Sequence, residues 1–299
     1  MTGKYNTPAA FKAALEQRLR SDVDERGEAL GRRRQRLVFD RFLARVDAVF
    51  GEAAVLKGGL VLELRLGRAR TTKDVDLRCT GAPAGMLEKL QRAGRLVLGD
   101  FLSFQVAPDR THPEITQEGM VYQGRRFRVE ARLAGKIYGY RFGVDVGFAD
   151  PILGEPDIIT GETLLEFAGI EPARIRLYPV ETHLAEKLHA YTLPRTRPNT
   201  RVKDLPDIAL LAMTRELEAK RLRQAITQCF AFRDVQAVPD ELPAPPKEWA
   251  PVYARMATTD DLSWPTLSDL FATTAAFLNP VLGGRKVKRW SPNAWRWDA

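Results

Sequence analysis

The sequence predicts an α+β protein: a mostly antiparallel or mixed sheet with flanking helices, then a mainly helical second half. Two observations carry this. Between Ala53 and Phe148, short segments of alternating or apolar character are separated by turn residues, as strands are. After Pro151 strand signals thin out and helical spacing takes over. The composition agrees, since 299 residues with 44% hydrophobic and 28% charged side chains suit a folded globular chain. The length allows one large domain or two modest ones, and the expected division is 1–155 and 156–299.

Each element has its own signal. Thr7 reads as an N-cap with Pro8 at the first helical position, and Phe11, Leu15 and Leu19 recur on one face. A second helix runs from about Glu28 to Phe50 and starts with Arg32, Arg33, Arg34 and Arg36, a run read either as a solvated face or as phosphate contacts. Ala53–Leu56 is a short apolar strand that meets Lys57-Gly58-Gly59, and Leu60–Leu66 is helical. Lys73–Arg78 alternates with period two and reads as a strand, and Ala84–Leu96 as a helix. Strands follow at Phe101–Val106, Gly119–Tyr122, Phe127–Leu133 and Tyr138–Phe148. Arg126–Leu133 has the charged/apolar alternation of a half-exposed antiparallel strand. A short strand is expected near Ile175–Tyr178, with helices at Glu181–Leu193, Leu205–Thr214, Leu217–Phe230 and Trp264–Leu278. The proline-rich stretch Pro239–Pro251 reads as an extended surface loop. The tail after Pro280 mixes arginines and lysines with Trp290, Trp295 and Trp297, which suits either a nucleic-acid contact or a packed terminus.

Charge and composition exclude several classes. Lys and Arg number 46 against 38 Asp and Glu, a net charge of +8 that favours an anionic partner. No apolar stretch is long enough to span a bilayer, and Met1–Ala10 lacks the apolar core of a signal peptide. Two cysteines and three histidines leave little for disulfides or zinc. A cytoplasmic protein is expected.

The chemistry concentrates at Asp74-Val75-Asp76. Residues i and i+2 of a strand share a face, about 6.6 Å apart. Two like charges there are costly unless a cation neutralises them, and hard oxygen ligands suit Mg²⁺. Asp145, a lone acid between valines, is the best candidate for a third carboxylate. Fifteen residues before Asp74 ends Lys57-Gly58-Gly59, at a strand-to-helix junction where free N–H groups can cradle an anion. Lys187 falls on a helix with His183 and Tyr191 four residues either side; His183 and His189 read as surface or packing residues rather than ligands. Asp204 and Asp207 lie three apart at a helix start, where each either complements the helix dipole or approaches the pocket to orient or deprotonate a hydroxyl.

Lys57-Gly58-Gly59 followed by Arg70-x-Thr72-x-Asp74-x-Asp76 resembles the signature of the AbiEii/MenT group of nucleotidyltransferase-like toxins. Glu181–Ala190 is similar to that group's helical E-K-x-x-A motif, and Arg201–Ile208 to its R-x-K-D segment. The resemblance covers about Val55 to Leu211 and departs at Gly143, where many members carry lysine. It implies a nucleotidyltransferase-like domain in 1–155, with 156–299 completing the active site. It further implies an Mg²⁺-dependent transfer of NMP from an NTP to RNA, in particular the tRNA 3′ acceptor end, which blocks aminoacylation and translation. Asp74, Asp76 and Asp145 would hold two Mg²⁺ ions. Lys57, Gly58, Gly59, Thr72 and Lys187 would hold the nucleotide; Arg70 would bind phosphate or fix the loop. Asp204 and Asp207 would lie near the chemistry with Lys187. A separately encoded antitoxin protein is the implied partner. The basic residues of the second helix, Arg195, Arg197, Arg201, Lys203 and the tail would form the RNA track. The alternatives are a small-molecule or protein acceptor, or a non-catalytic nucleic-acid-binding protein.

Overall fold

The computed structural model describes residues 4–26, 29–67, 72–115, 124–148, 151–195 and 199–299, with the side chains of 23–26 outside that description. Arg70, Arg197 and the expected strand Gly119–Tyr122 lie outside the described residues.

The chain opens with α1 (Pro8–Arg26), whose Thr7 hydroxyl accepts the Ala10 N–H as expected of an N-cap, and α2 (Leu30–Phe50). Next come β1 (Ala54–Lys57), α3 (Gly59–Leu66), β2 (Asp74–Cys79), α4 (Met86–Arg95), β3 (Leu102–Pro108), β4 (Gly124–Leu133), β5 (Lys136–Ile137) and β6 (Phe142–Phe148). Two further strands, β7 (Asp157–Thr160) and β8 (Arg174–Leu177), precede a helical half. That half contains α5 (Val180–Thr192), α6 (Asp204–Ala212), β9 (Leu217–Glu218), α7 (Ala219–Arg233), α8 (Ala250–Thr259), α9 (Leu267–Leu282), β10 (Arg289–Ser291) and β11 (Arg296–Trp297).

Strands β1 to β8 form one mixed sheet in the order β3-β4-β6-β2-β1-β8-β7, with β5 paired to β4. The pairs β2–β6 and β1–β8 are parallel and the others antiparallel. α2 packs its apolar stripe on the sheet: Phe39 and Phe42 meet Phe142 edge-on at 5.1 and 5.4 Å between ring centres. β7 was missed by sequence reasoning because only four residues pair, at the sheet edge. Tyr138–Arg141, expected to be strand, instead forms the turn that leads into β6. The expected division at residue 155 falls within this sheet, whose core extends to Leu177, while a second buried cluster gathers Leu62 with residues from Val180 onward.

Two expectations are corrected by packing. The α2 arginines are neither a solvated face nor a phosphate track. Arg33 is buried between Asp22 and Glu162, Arg34 forks Glu16, and Arg36 pairs with Glu162. Pro239–Pro251 is not extended throughout, since α8 begins within it and Pro251 takes a first-turn position where a missing N–H costs nothing. The tail tryptophans pack inward, while Arg285, Lys286, Lys288, Arg289 and Arg296 stay exposed. The indoles of Trp290, Trp295 and Trp297 donate to the carbonyls of Ala212, Thr273 and Phe277 at 2.8, 3.1 and 2.7 Å.

Candidate active site

Register builds the site. β2 alternates so that Val75, Leu77 and Cys79 are buried while Asp74 and Asp76 point to the other face. β1 runs antiparallel beside it and sets Lys57 opposite Asp76; β6 runs parallel on its other side and sets Asp145 beside Asp76. β4 then sets Arg126 opposite Asp145. Because paired residues share a face, Arg126, Asp145, Asp76 and Lys57 form one row across four adjacent strands, with charges in the order plus, minus, minus, plus.

The row lies in a cleft of about 470 Å³ that is also lined by Gly58, Gly59, Thr72 and Asp74 from the sheet half and by His183, Glu186 and Lys187 of α5. Asp145, expected as a metal ligand, gives both oxygens to the Arg126 guanidinium at 2.7 and 2.6 Å. That fork raises the Arg126 pKa. Asp74 accepts the Gly143 N–H at 3.0 Å. A Cβ at 143 would stand 2.6 Å from Asp74 Oδ1, so a side chain there requires that carboxylate to shift. Asp76 has no hydrogen bond or ion pair among the described residues; burial, then the neighbouring Asp145, pushes its carboxyl up to about 6.

Gly58 bridges β1 and α3 at φ 73° and ψ −158°, a conformation that is essentially glycine-only. It also lies so near Asp76 that a Cβ would meet Oδ2 at 2.0 Å. Gly58 therefore serves the acid: it lets the Asp76 carboxylate sit against the start of α3. Thr72, expected to bind nucleotide, donates its hydroxyl to the Asp74 carbonyl at 3.3 Å and lines the cleft.

α5 covers the row. Lys187 lies between Asp204 and Asp207, with Nζ at 3.0 and 2.7 Å from their oxygens. Burial works to lower its pKa, but the two carboxylates outweigh burial and hold the ammonium charged. Arg201 forks in on Asp204 at 2.6 Å. Both α6 acids are buried and bound to Lys187, and Asp204 also takes the Arg201 guanidinium. Lys57 reaches Glu186 at 3.3 Å, and Glu186 also accepts the Tyr178 hydroxyl at 2.8 Å.

Arg126, Glu186 and Arg233 line the cleft without having been singled out from the sequence, and His183, set aside as ordinary, lines it too. His183 is buried with neither ring nitrogen hydrogen-bonded among the described residues, and burial, then Lys187, pushes its pKa down to about 3, leaving it neutral. The signal available for Arg126 was its place opposite Asp145, which needs the strand order. Glu186 precedes the motif lysine and was quoted without a role.

The donor set fits a divalent cation in part. Among the described residues, no three His, Cys, Asp or Glu side chains stand together as a metal site. The Arg126 fork holds both Asp145 oxygens, so Asp74, Asp76 and Asp145 do not stand as a free set of three ligands. Asp76, half-buried, lacking a partner and raised in pKa, is short of positive charge in the way a cation corrects.

A family model described as nucleotidyl transferase AbiEii toxin, type IV toxin–antitoxin system, matches residues 41–273. Among solved structures, the chain is similar to MenT4, a nucleotidyltransferase toxin from Mycobacterium tuberculosis H37Rv, with 16% identity, a TM-score of 0.51 and coverage of 79% of this chain and 78% of that one. It is also similar to JHP933 from Helicobacter pylori, with 15% identity, a TM-score of 0.46 and coverage of 84% and 94%. No curated protein sequence matches. With the motif residues gathered in one cleft and the family model spanning most of its length, the chain belongs to the AbiEii family of nucleotidyltransferase toxins of type IV toxin–antitoxin systems.

Proposed function

We propose that this nucleotidyltransferase moves an NMP from an NTP to a hydroxyl of RNA, with the 3′ acceptor end of tRNA as the target, so that aminoacylation and translation stop. The observation that carries the reading is the charge row in the cleft: a partnerless carboxylate, Asp76, flanked by Lys57 and roofed by the clamped Lys187.

In this reading the triphosphate lies along Lys57, the backbone N–H groups of Gly58 and Gly59 at the start of α3, and Lys187. Fixed cations and oriented N–H groups stabilise charge that builds on phosphate oxygens without having to reorganise. Asp74 and Asp76 would hold Mg²⁺, which supplies Lewis-acid charge to the phosphate. Asp145 is open to a metal only at the expense of the Arg126 fork. The acceptor oxygen attacks the α-phosphorus in line, the bond to pyrophosphate breaks, and the hydroxyl proton passes to Asp74 or to water beside it. Asp74 is the exposed end of the acid pair, and among the described residues only its Oδ1 accepts a side-chain hydrogen bond.

With the α2 arginines used internally, the cations that line the cleft for RNA are Lys73 and Lys203, with Arg201 shared with Asp204. A separately encoded antitoxin is the expected protein partner. No helix among the described residues is long and apolar enough to cross a membrane.

The test is transfer of label from α-labelled NTP to bulk tRNA with and without Mg²⁺. Asp76→Ala is expected to lose it by at least about 100-fold, the scale set by removing one preorganised catalytic group. Retained Mg²⁺-dependent transfer overturns the role given to Asp76. Label appearing on protein or small molecules instead of RNA redirects the acceptor.

A further inference from the structure

Beyond Thr72 and Lys73, which line the cleft from one side, lies a second cavity of about 530 Å³ that the same two residues line from the other. Its floor is the buried ring of Phe39. Its lip is Tyr140, whose ring is 67% exposed, an unusual state for a large aromatic on this chain. The ring is presented from a fixed point: the Tyr140 N–H donates to Gln35 Oε1 at 2.7 Å, and the preceding Gly139, at φ +73°, packs against Gln35 and Val38. Inside the cavity Glu63, buried, accepts from Arg32 at 3.5 Å. Around the rim stand Arg36, held by Glu162, Arg141, paired with Glu130, and Lys73.

A flat apolar slot with an aromatic lip, one carboxylate and one guanidinium inside, and cations around it has the chemistry of a nucleobase site. Rings stack on Tyr140, the base edge finds an acceptor in Glu63 and donors in Arg32, and the rim attracts phosphate. Two sources could supply such a base: the incoming NTP or the end of the acceptor RNA. A free nucleotide carries phosphates on one side of its base only, and the first cleft takes those. Arg141, its side chain 71% exposed and lining the second cavity but not the first, matches the phosphate on the 5′ side of a terminal nucleotide. The two cavities meet at Thr72 and Lys73, beside Asp74, which is where the 3′-hydroxyl of that nucleotide has to arrive.

We propose that the second cavity binds the unpaired terminal nucleobase of the acceptor RNA, stacked on Tyr140, and so delivers its hydroxyl to Asp74. The proposal rests on the nucleotidyl-transfer reading. The test uses the full chain at fixed salt, with a 5′-fluorescein single-stranded RNA octamer followed by anisotropy and free ATP followed by calorimetry. Tyr140→Ala is expected to weaken octamer binding about tenfold, as loss of one stacked base does, and to leave ATP binding unchanged. Tyr140→Phe keeps the stack and is expected to bind like the parent. In label transfer the alanine variant raises KM for RNA with kcat held. Octamer affinity within twofold of the parent overturns the proposal, and a loss confined to ATP reassigns the cavity to the incoming nucleotide. A parent chain that transfers no label to RNA overturns the nucleotidyl-transfer reading itself, whereas transfer with an unchanged KM in Tyr140→Ala overturns the cavity assignment alone.

Discussion

Replacing Gly58 by alanine puts a methyl group 2.0 Å from Asp76 Oδ2, 2.6 Å from its Cγ and 2.9 Å from its Cβ. The carboxylate would have to retreat by more than an ångström to restore ordinary contact. Two costs combine. Holding a non-glycine residue at φ 73° and ψ −158° costs about 1–3 kcal/mol. Overpacking against a fixed neighbour adds about 1–3 kcal/mol. The sum, roughly 2–6 kcal/mol, lowers the thermal midpoint by roughly 4–12 °C at about 2 °C per kcal/mol for a chain of this size. Gly67 is the internal control: its φ is +66°, yet among the described residues nothing lies within 4 Å of the Cβ it would gain. Gly67→Ala therefore carries the backbone cost alone, about 1–2 kcal/mol. The assay is urea unfolding of both variants, and of Gly58→Ala combined with Asp76→Gly, which removes all three clashing atoms. The expected coupling between positions 58 and 76 is about 1–3 kcal/mol. Equal costs for Gly58→Ala and Gly67→Ala, or additivity within about 0.5 kcal/mol in the double variant, would refute the argument that glycine is there to admit the carboxylate.

Two further outcomes follow from buried charge. Lys187→Met leaves Asp207 without its cation and Asp204 with Arg201 alone, and is expected to cost about 3–5 kcal/mol in urea unfolding; adding Asp207→Asn should recover part of it, and a loss below about 1 kcal/mol would show that the clamp is not a buried ion cluster. Asp40, buried at 2% exposure and raised to about 6 from an ordinary 3.8 chiefly by burial, favours the fold while protonated, and that share is lost as pH rises from about 4 through 6. It amounts to about 3 kcal/mol, so Asp40→Asn should gain stability over the parent at pH 7.5 but not at pH 3.5, and equal gains at both would sink the assignment.

Much of the fold and the middle of the site were legible because their signals are local. Asp74 and Asp76 interrupt an otherwise apolar alternation, and Lys57-Gly58-Gly59 punctuates a strand-to-helix junction. Residues that act through strand order were not legible. Arg126 looked like any exposed strand charge, and only β4 lying beside β6 makes it the partner of Asp145. The α2 arginines were conspicuous as a run, but Glu162, which takes two of them, lies more than a hundred residues on. α8 was hidden by prolines, because Pro251 sits where a helix tolerates it and the preceding prolines imitate an extended linker. The third acid was found for its isolation between valines, a pattern that places it on the polar face without revealing that a guanidinium occupies its oxygens.

The packed tail has a consequence for when the cleft comes into being. The Trp290 indole bonds the Ala212 carbonyl at the last residue of α6, and α6 begins with the acids that hold Lys187. On the ribosome, residues 289–297 emerge long after the lysine they help to fix. A nascent chain stopped short of Trp290 has α6 without this tether and a buried cluster lacking its largest side chain. Chains released before Trp290 should thus carry the signature residues without this tether on α6.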